Sequence, residues 1–241
     1  MWLKACLNGP RIADSHAALP LTPEDLAISG RNAVDAGAVA LHIHPRSPTG
    51  DETLEAFAVA AALLAIRQSC PSIPLEVSTA AWIVKDPANR LALVQSWEVH
   101  PDSAGVNFGE PGAIELAELL LARGIGIEAG LFTSADARKL IQSGLASSCQ
   151  HVQIEPILAI SAATALTTAQ AIEQELDLAG ITTPRLLHGK DFSAWPMLRY
   201  AIARGYATRI GLEDTLYLPD GRLAQDNAEL VKAALSQQVS N

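Results

Sequence analysis

The chain has 241 residues, 49% of them hydrophobic, a length and apolar content that suit one α/β barrel around a large core. Its net charge of −9 argues against a nucleic-acid partner and leaves room only for a locally basic pocket. Cys6, Cys70 and Cys149 fall in no zinc-like spacing and predict a reduced, cytoplasmic protein; no signal peptide precedes the first strand, and the longest apolar run, Ala56 to Ile66, is too short to cross a bilayer.

Leu3 to Leu7 reads as a first strand, stopped by Asn8-Gly9-Pro10. Thr22-Pro23-Glu24-Asp25 predicts a helix start, with a hydroxyl cap, a proline at the first position and acids in the first turn; that helix runs to about Asp35. Gly37 to His44 is the second strand, ended by Pro45, which has no N–H for a ladder. Helices are then expected over Asp51 to Ser69, Asp86 to Gln95, Pro111 to Arg123, Ser134 to Ser143, Thr167 to Leu178, Ser193 to Arg204 and Asn227 to Ser236. Between them, strands are expected over Pro74 to Thr79, Ser103 to Phe108, Gly126 to Leu131, Cys149 to Glu155, Pro184 to His188 and Ala207 to Leu212. Strand-then-helix units repeated eight times predict a single (β/α)8 TIM barrel over residues 1–241. The rival, a doubly wound open sheet, lacks a Gly-x-Gly-x-x-Gly turn after the first strand.

Leu41-His42-Ile43-His44-Pro45-Arg46 organises the functional reading. Successive side chains of a strand alternate faces, so His42 and His44 point the same way and can chelate one metal ion. Two hydrogen-bonded structural histidines are the competing reading until a third ligand appears. The other strand ends offer Asn8, Ser78 and Thr79, Asn107 with Glu110, Glu128, Glu155, His188, and Arg209 with Glu213 and Asp214. Polar groups at the strand ends over apolar strand interiors place an active site on the C-terminal rim. Glu213 is the best third ligand, because the eighth strand of a closed barrel pairs with the first; its alternative is an ion pair with Arg209. Two histidines and a carboxylate with open positions suit a catalytic ion, zinc or another divalent metal.

Asp214 and Arg209 read as a base and its cationic partner, or else as a structural ion pair. Ser78, Thr79 and Asn107 suit a substrate carboxylate, or nearby backbone groups. Glu128 joins this substrate-side set; like Glu155, it could instead orient the histidines from behind or form a rim ion pair. His188 and Trp195 either line the pocket or are structural, and His16, His100 and His151 read as structural. There is no Gly-x-Ser-x-Gly elbow and no cysteine in a nucleophile context.

Taken as an ordered set, several motifs resemble the β-keto acid cleavage enzymes, a family named after 3-keto-5-aminohexanoate cleavage enzyme. They are Leu7-Asn8-Gly9 with Arg11, Pro20-Leu21-Thr22-Pro23-Glu24, the His42-x-His44 stretch, Glu76-Val77-Ser78-Thr79, Val106 to Ala113, Glu128-Ala129-Gly130-Leu131, Leu187-His188-Gly189 and Arg209 to Thr215. They span nearly the whole chain. The resemblance implies a metal-dependent barrel, usually with zinc, that condenses a β-keto acid with acetyl-CoA and releases acetoacetate and a new acyl-CoA. It implies His42, His44 and Glu213 as metal ligands, Asp214 with Arg209 as the pair that removes the C2 proton, and Ser78 as the seat of the substrate carboxylate. It also implies a homo-oligomer, with tetramers among the forms that relatives take.

Two positions depart from the family pattern. The first loop reads Asp14-Ser15-His16, where relatives often carry an acid near the metal in a different local order, and Lys190 stands where relatives often carry an acid. Both bear on the variable end of the substrate. A metal-dependent hydrolase that ignores acetyl-CoA, and a keto-acid-binding protein without turnover, are the competing functions.

Overall fold

The computed structural model describes residues 1–238, so the last three residues of the expected 1–241 unit lie outside the described residues. Strands β1 (Leu3–Cys6), β2 (Ala40–Ile43), β3 (Leu75–Ser78), β4 (Ser103–Asn107), β5 (Gly126–Leu131), β6 (His151–Ile154), β7 (Arg185–Leu187) and β8 (Thr208–Ile210) form one parallel sheet. Its order is β7-β6-β5-β4-β3-β2-β1-β8, and a parallel bridge between Leu186 and Ala207 brings β8 back to β7. Helices α1 (Pro23–Asp35), α2 (Ala56–Ser69), α3 (Pro87–Gln95), α4 (Ala113–Ala122), α5 (Ser134–Ser143), α6 (Ala162–Leu178), α7 (Ala194–Arg204) and α8 (Asn227–Ser236) alternate with the strands. This is the expected (β/α)8 barrel.

Most boundaries follow local chemistry. Thr22 caps α1 and exchanges hydrogen bonds with Asp25, with Pro23 in the first turn. Two helices start five residues away from their expected first residue. Residues 51–55 are not helical: Arg46 and Glu52 form an antiparallel bridge, and the Thr53 N–H donates to the Pro45 carbonyl. Helix α2 therefore begins at Ala56, and Glu52 is released from the helix toward the strand ends. Helix α6 begins five residues before the expected Thr167, because Ser161 and Thr164 cap each other there.

The strand interiors correct the sequence reading more deeply. Outward residues such as Leu3, Ala5, Leu41, Ile43, Val77, Ile127, Ala129 and Val152 are apolar, fully buried and packed under the helices. Burying one Val, Leu or Ile in this way contributes about 1.5–3 kcal/mol, so this shell is the hydrophobic core. The inward face is polar. Lys4 Nζ on β1 lies 2.5 Å from Glu76 Oε2 on β3 and 3.2 Å from Glu128 Oε2 on β5. Those strands are not neighbours, so the contacts cross the barrel interior. Gln153 on β6 donates to both carboxylates, at 3.1 and 3.0 Å. A layer of matched charges thus fills the barrel beneath the rim, where the sequence suggested apolar filling. Glycines make room for it: a Cβ on Gly105 would stand 3.0 Å from Glu76 Oε1.

Candidate active site and metal centre

His42 lies within β2 and His44 just beyond its end, and both rings face the barrel axis. Their Nε2 atoms are 2.9 Å apart and their ring centroids 4.9 Å apart. Asn8, at the end of β1, fixes the chain at His44: its amide donates to the His44 carbonyl at 2.9 Å and its Oδ1 accepts from the His44 N–H at 2.9 Å. Glu213 arrives from the β8 end, with Oε2 3.4 Å from His42 Nε2 and Oε1 3.6 Å from His44 Nε2. Two glycines permit that approach. Gly9 has φ +59° and lies against Glu213, where a Cβ would meet its Cγ at 2.3 Å; a Cβ on Gly211 would meet the Cys6 carbonyl oxygen at 1.9 Å.

The ligand atoms of His42, His44 and Glu213 all lie within 4.8 Å of one another. Their surroundings fit a metal ion. Glu213 Oε2 is buried without a hydrogen-bond partner, and the two Nε2 atoms converge on the same space. Behind them, His44 Nδ1 meets Glu52 Oε1 at 2.5 Å, which fixes the tautomer that leaves Nε2 for a metal. His42 Nδ1 lies 3.1 Å from Glu76 Oε2, close but not aligned as a hydrogen bond. Burial alone would lower the His44 pKa, but Glu213 and Glu52 outweigh it and lift it to about 9. Burial alone would raise the Glu213 carboxyl; Arg209 and the two imidazoles hold it well below the usual carboxylate range.

Asp214 is fully buried beside this cluster. Its Oδ1 accepts from Arg209 Nη2 at 2.8 Å and Nε at 3.2 Å, and lies 3.4 Å from His188 Nδ1. Its Oδ2 is buried without a partner. Burial pushes this carboxyl up, but Arg209 and then His188 overcome it, so Asp214 stays ionised. His188 is itself bridged, with Nε2 3.0 Å from Glu155 Oε2.

The remaining expected residues divide. Ser78 and Asn107 line the small cavity over the histidines, together with Glu76, Trp82, Gln153 and Glu155. The Ser78 Oγ takes only a 3.5 Å contact from the Ala80 N–H, so its own proton is available to a ligand. The Thr79 hydroxyl is instead committed to the Gly105 carbonyl at 2.5 Å. Glu128 sits in the lower layer, bound to Lys4, Gln153 and His151, and neither it nor Glu155 touches His42 or His44. The partners behind the histidines are Glu52 and Glu76 instead. Asp14 is exposed in a 3-10 turn. Trp195 is buried, with its Nε1 donating to the Tyr217 carbonyl; Trp82, stacked 6.5 Å from His44, takes the pocket position. His16 and His100 bond backbone carbonyls and are structural, as expected.

Glu76 had a legible signal, since alternation from Ser78 turns it inward; a carboxylate in a buried strand needs a partner. Glu52 had none, because its position depends on the fold of the loop after β2.

A parallel (β/α)8 barrel with a buried His-His-Glu group and an ionised Asp on its C-terminal rim defines an enzyme scaffold with a candidate divalent-metal site. The family model for beta-keto acid cleavage enzymes (BKACE) matches residues 1–238, and the chain belongs to that family. The 3-keto-5-aminohexanoate cleavage enzyme of Fusobacterium nucleatum is 25% identical over 95% of this chain and 88% of its own length. The enzyme of the same name from Acetoanaerobium sticklandii is 23% identical over the same shares. Among solved structures, ObcA in a ternary complex with a C4-CoA adduct and oxalate superposes with a TM-score of 0.75 at 15% identity. The match covers 92% of this chain and 64% of ObcA, so the chain spans less than two thirds of that protein, and the likeness shows the fold.

Proposed function

We propose that this protein is a metal-dependent β-keto acid cleavage enzyme that uses acetyl-CoA as co-substrate. The observation that carries the reading is one barrel rim holding both the His42, His44 and Glu213 group and, next to Glu213, the ionised, half-unpartnered Asp214. A bound divalent ion, zinc by the character of these donors, would supply Lewis-acid polarisation of the ketone. ObcA, crystallised with oxaloacetate and with a CoA adduct, and the two relatives named for a keto acid support the substrate class.

Ser78, with a free hydroxyl proton, and Asn107 seat the keto acid's carboxylate. Asp214 Oδ2 takes the proton from C2, between ketone and carboxylate, and Arg209 holds Oδ1 so that Oδ2 faces the substrate. A carboxylate stabilised in this way is a weak base, so it works only on a proton already acidified by both neighbouring groups. The carbanion at C2 attacks the acetyl thioester and expels the CoA thiolate. The thiolate adds to the original keto carbon, the C2–C3 bond breaks, and the electrons return to C2, which regains its proton from Asp214. Acetoacetate and the CoA thioester of the remaining fragment leave, and atoms balance without a side-chain nucleophile. Thr79 and Glu128 support the site from behind, Thr79 through the Gly105 carbonyl and Glu128 through Lys4 and Gln153.

The reading takes the protein as a cytoplasmic homo-oligomer. The buried free thiols of Cys6, Cys70 and Cys149 support a reducing setting, and exposed Leu158 and Ile160 offer apolar surface for assembly. No helix among the described residues is long and apolar enough to cross a membrane.

The test is turnover of a panel of β-keto acids, with and without acetyl-CoA, on protein whose metal content has been measured. Acetoacetate formed only with acetyl-CoA is the expected result. Cleavage indifferent to acetyl-CoA would replace the acyl transfer with hydrolysis.

A further inference from the structure

Beside the metal group lies a cavity of about 260 Å³ that shares Arg209, Glu213 and Asp214 with it and is walled by Pro10, Trp82 and Ile157. Its ionisable lining is paired with one exception. Arg209 meets Glu213 and Asp214, and Glu155 meets His188. Lys190, partly buried on the β7–α7 loop, lines the same cavity, and its ammonium has no ion-pair or hydrogen-bond partner among the described residues.

The loop holds Lys190 in place. Its N–H donates to Ser193 Oγ at 2.9 Å, and its carbonyl accepts from the Ser193 N–H at 3.0 Å and hydroxyl at 2.9 Å. The next residue, Asp191, has φ +49° and is the one non-glycine with positive φ among the described residues. Such a conformation costs on the order of 1–3 kcal/mol and persists only where its surroundings impose it. Here the Asp191 N–H donates to the Asp214 carbonyl at 2.5 Å, and its carboxylate meets Arg11 Nη2 at 2.5 Å. The strained turn thus ties Lys190 to the loop that carries Asp214.

Resting on the function proposed above, the geometry points to Lys190 as the residue that seats a second carboxylate, at the far end of the keto acid, so that the substrate class is β-keto dicarboxylic acids. An unpaired ammonium beside apolar walls favours an anionic tip over a methyl or an amine. CoA phosphates carry the same charge, but a cavity of about 260 Å³ suits a short acid and not a nucleotide.

The experiment compares 3-oxoadipate with 3-oxohexanoate, equal in length and different at the tip, at saturating acetyl-CoA. Lys190→Gln should lower the ratio of their kcat/KM values by roughly 10- to 100-fold, the scale of one charge-assisted hydrogen bond. Lys190→Arg should keep the preference, and Lys190→Glu should shift it toward an amine-ended 3-oxo acid. An unchanged ratio in Lys190→Gln overturns the inference. So does a loss confined to the KM for acetyl-CoA and equal for both acids, which would assign Lys190 to CoA. Calorimetric binding of the two acids to metal-loaded protein without acetyl-CoA reads the preference independently of turnover. If no acid is cleaved but dicarboxylate binding still depends on Lys190, the reaction reading falls and this one stands; equal binding by wild type and Lys190→Gln sinks it.

Discussion

Two polar layers lie one above the other inside this barrel, each setting carboxylates against basic groups, and they are arranged to opposite ends. In the lower layer every charge meets its complement: Lys4 between Glu76 and Glu128, with Gln153 joining the two carboxylates. On the rim the complementarity is left incomplete. His42 and His44 aim their Nε2 atoms at one space, and Glu213 Oε2 and Asp214 Oδ2 are buried without partners. A closed buried network fixes geometry, whereas buried groups left open are poised for a ligand. Glu76 belongs to both layers, since one Oε2 faces Lys4 and His42.

The largest effect should come from removing the rim group itself. His42→Ala and Glu213→Ala are expected to lose bound metal and turnover together; full metal stoichiometry in both variants would break the site assignment. Asp214→Asn should keep the metal and lower kcat by roughly 10²–10⁴-fold, the range for a general base, as read by steady-state kinetics beside metal analysis.

The carboxylates behind the histidines sharpen the contrast between layers. Glu52→Ala and Glu76→Ala should each weaken metal binding by roughly 10- to 100-fold in competition with a chelator. Only Glu76→Ala should also destabilise the fold, by roughly 3–5 kcal/mol in chemical denaturation, because it strips a fully buried lysine of its closest partner. Equal stability losses would mean that the layers are not distinct.

The smallest effect concerns pH. Burial alone would lower the Lys4 ammonium, but Glu76 and Glu128 raise it above its ordinary 10.5. A raised lysine contributes its full stability below that ordinary value and loses it as pH rises through the folded value. The stability gap between wild type and Lys4→Met should therefore be steady on the alkaline side up to pH 10.5 and narrow above it, as read by denaturation midpoints; at acid pH it also falls, because, against burial, Lys4 holds the Glu76 carboxyl below its ordinary range.

Strand and helix alternation is a local property, so the barrel was legible from periodicity and caps; β5, α5 and α8 coincide with their expected spans. The rim triad was legible because His42 and His44 share a strand face and β8 closes on β1. Glu52 was not, because the turn that delivers it is set by backbone hydrogen bonds from Ser47 to the Asp51 carbonyl and from Thr53 to the Pro45 carbonyl, which no side-chain pattern in the loop announces. Glu128 and Thr79 lay at the expected strand ends, yet alternation says only which face a residue takes, not how deep in the barrel it lies.

Sequence alone thus determined the order of the elements, the outward apolar shell and the pairing of His42 with His44 on one strand face, since each depends on spacing of a few residues. Tertiary structure alone decided which polar groups became partners. Lys4 with Glu128 and Gln153 with Glu76 are pairs that only closure of the barrel brings within a few ångströms, where a buried polar group must find its complement or remain open for a ligand.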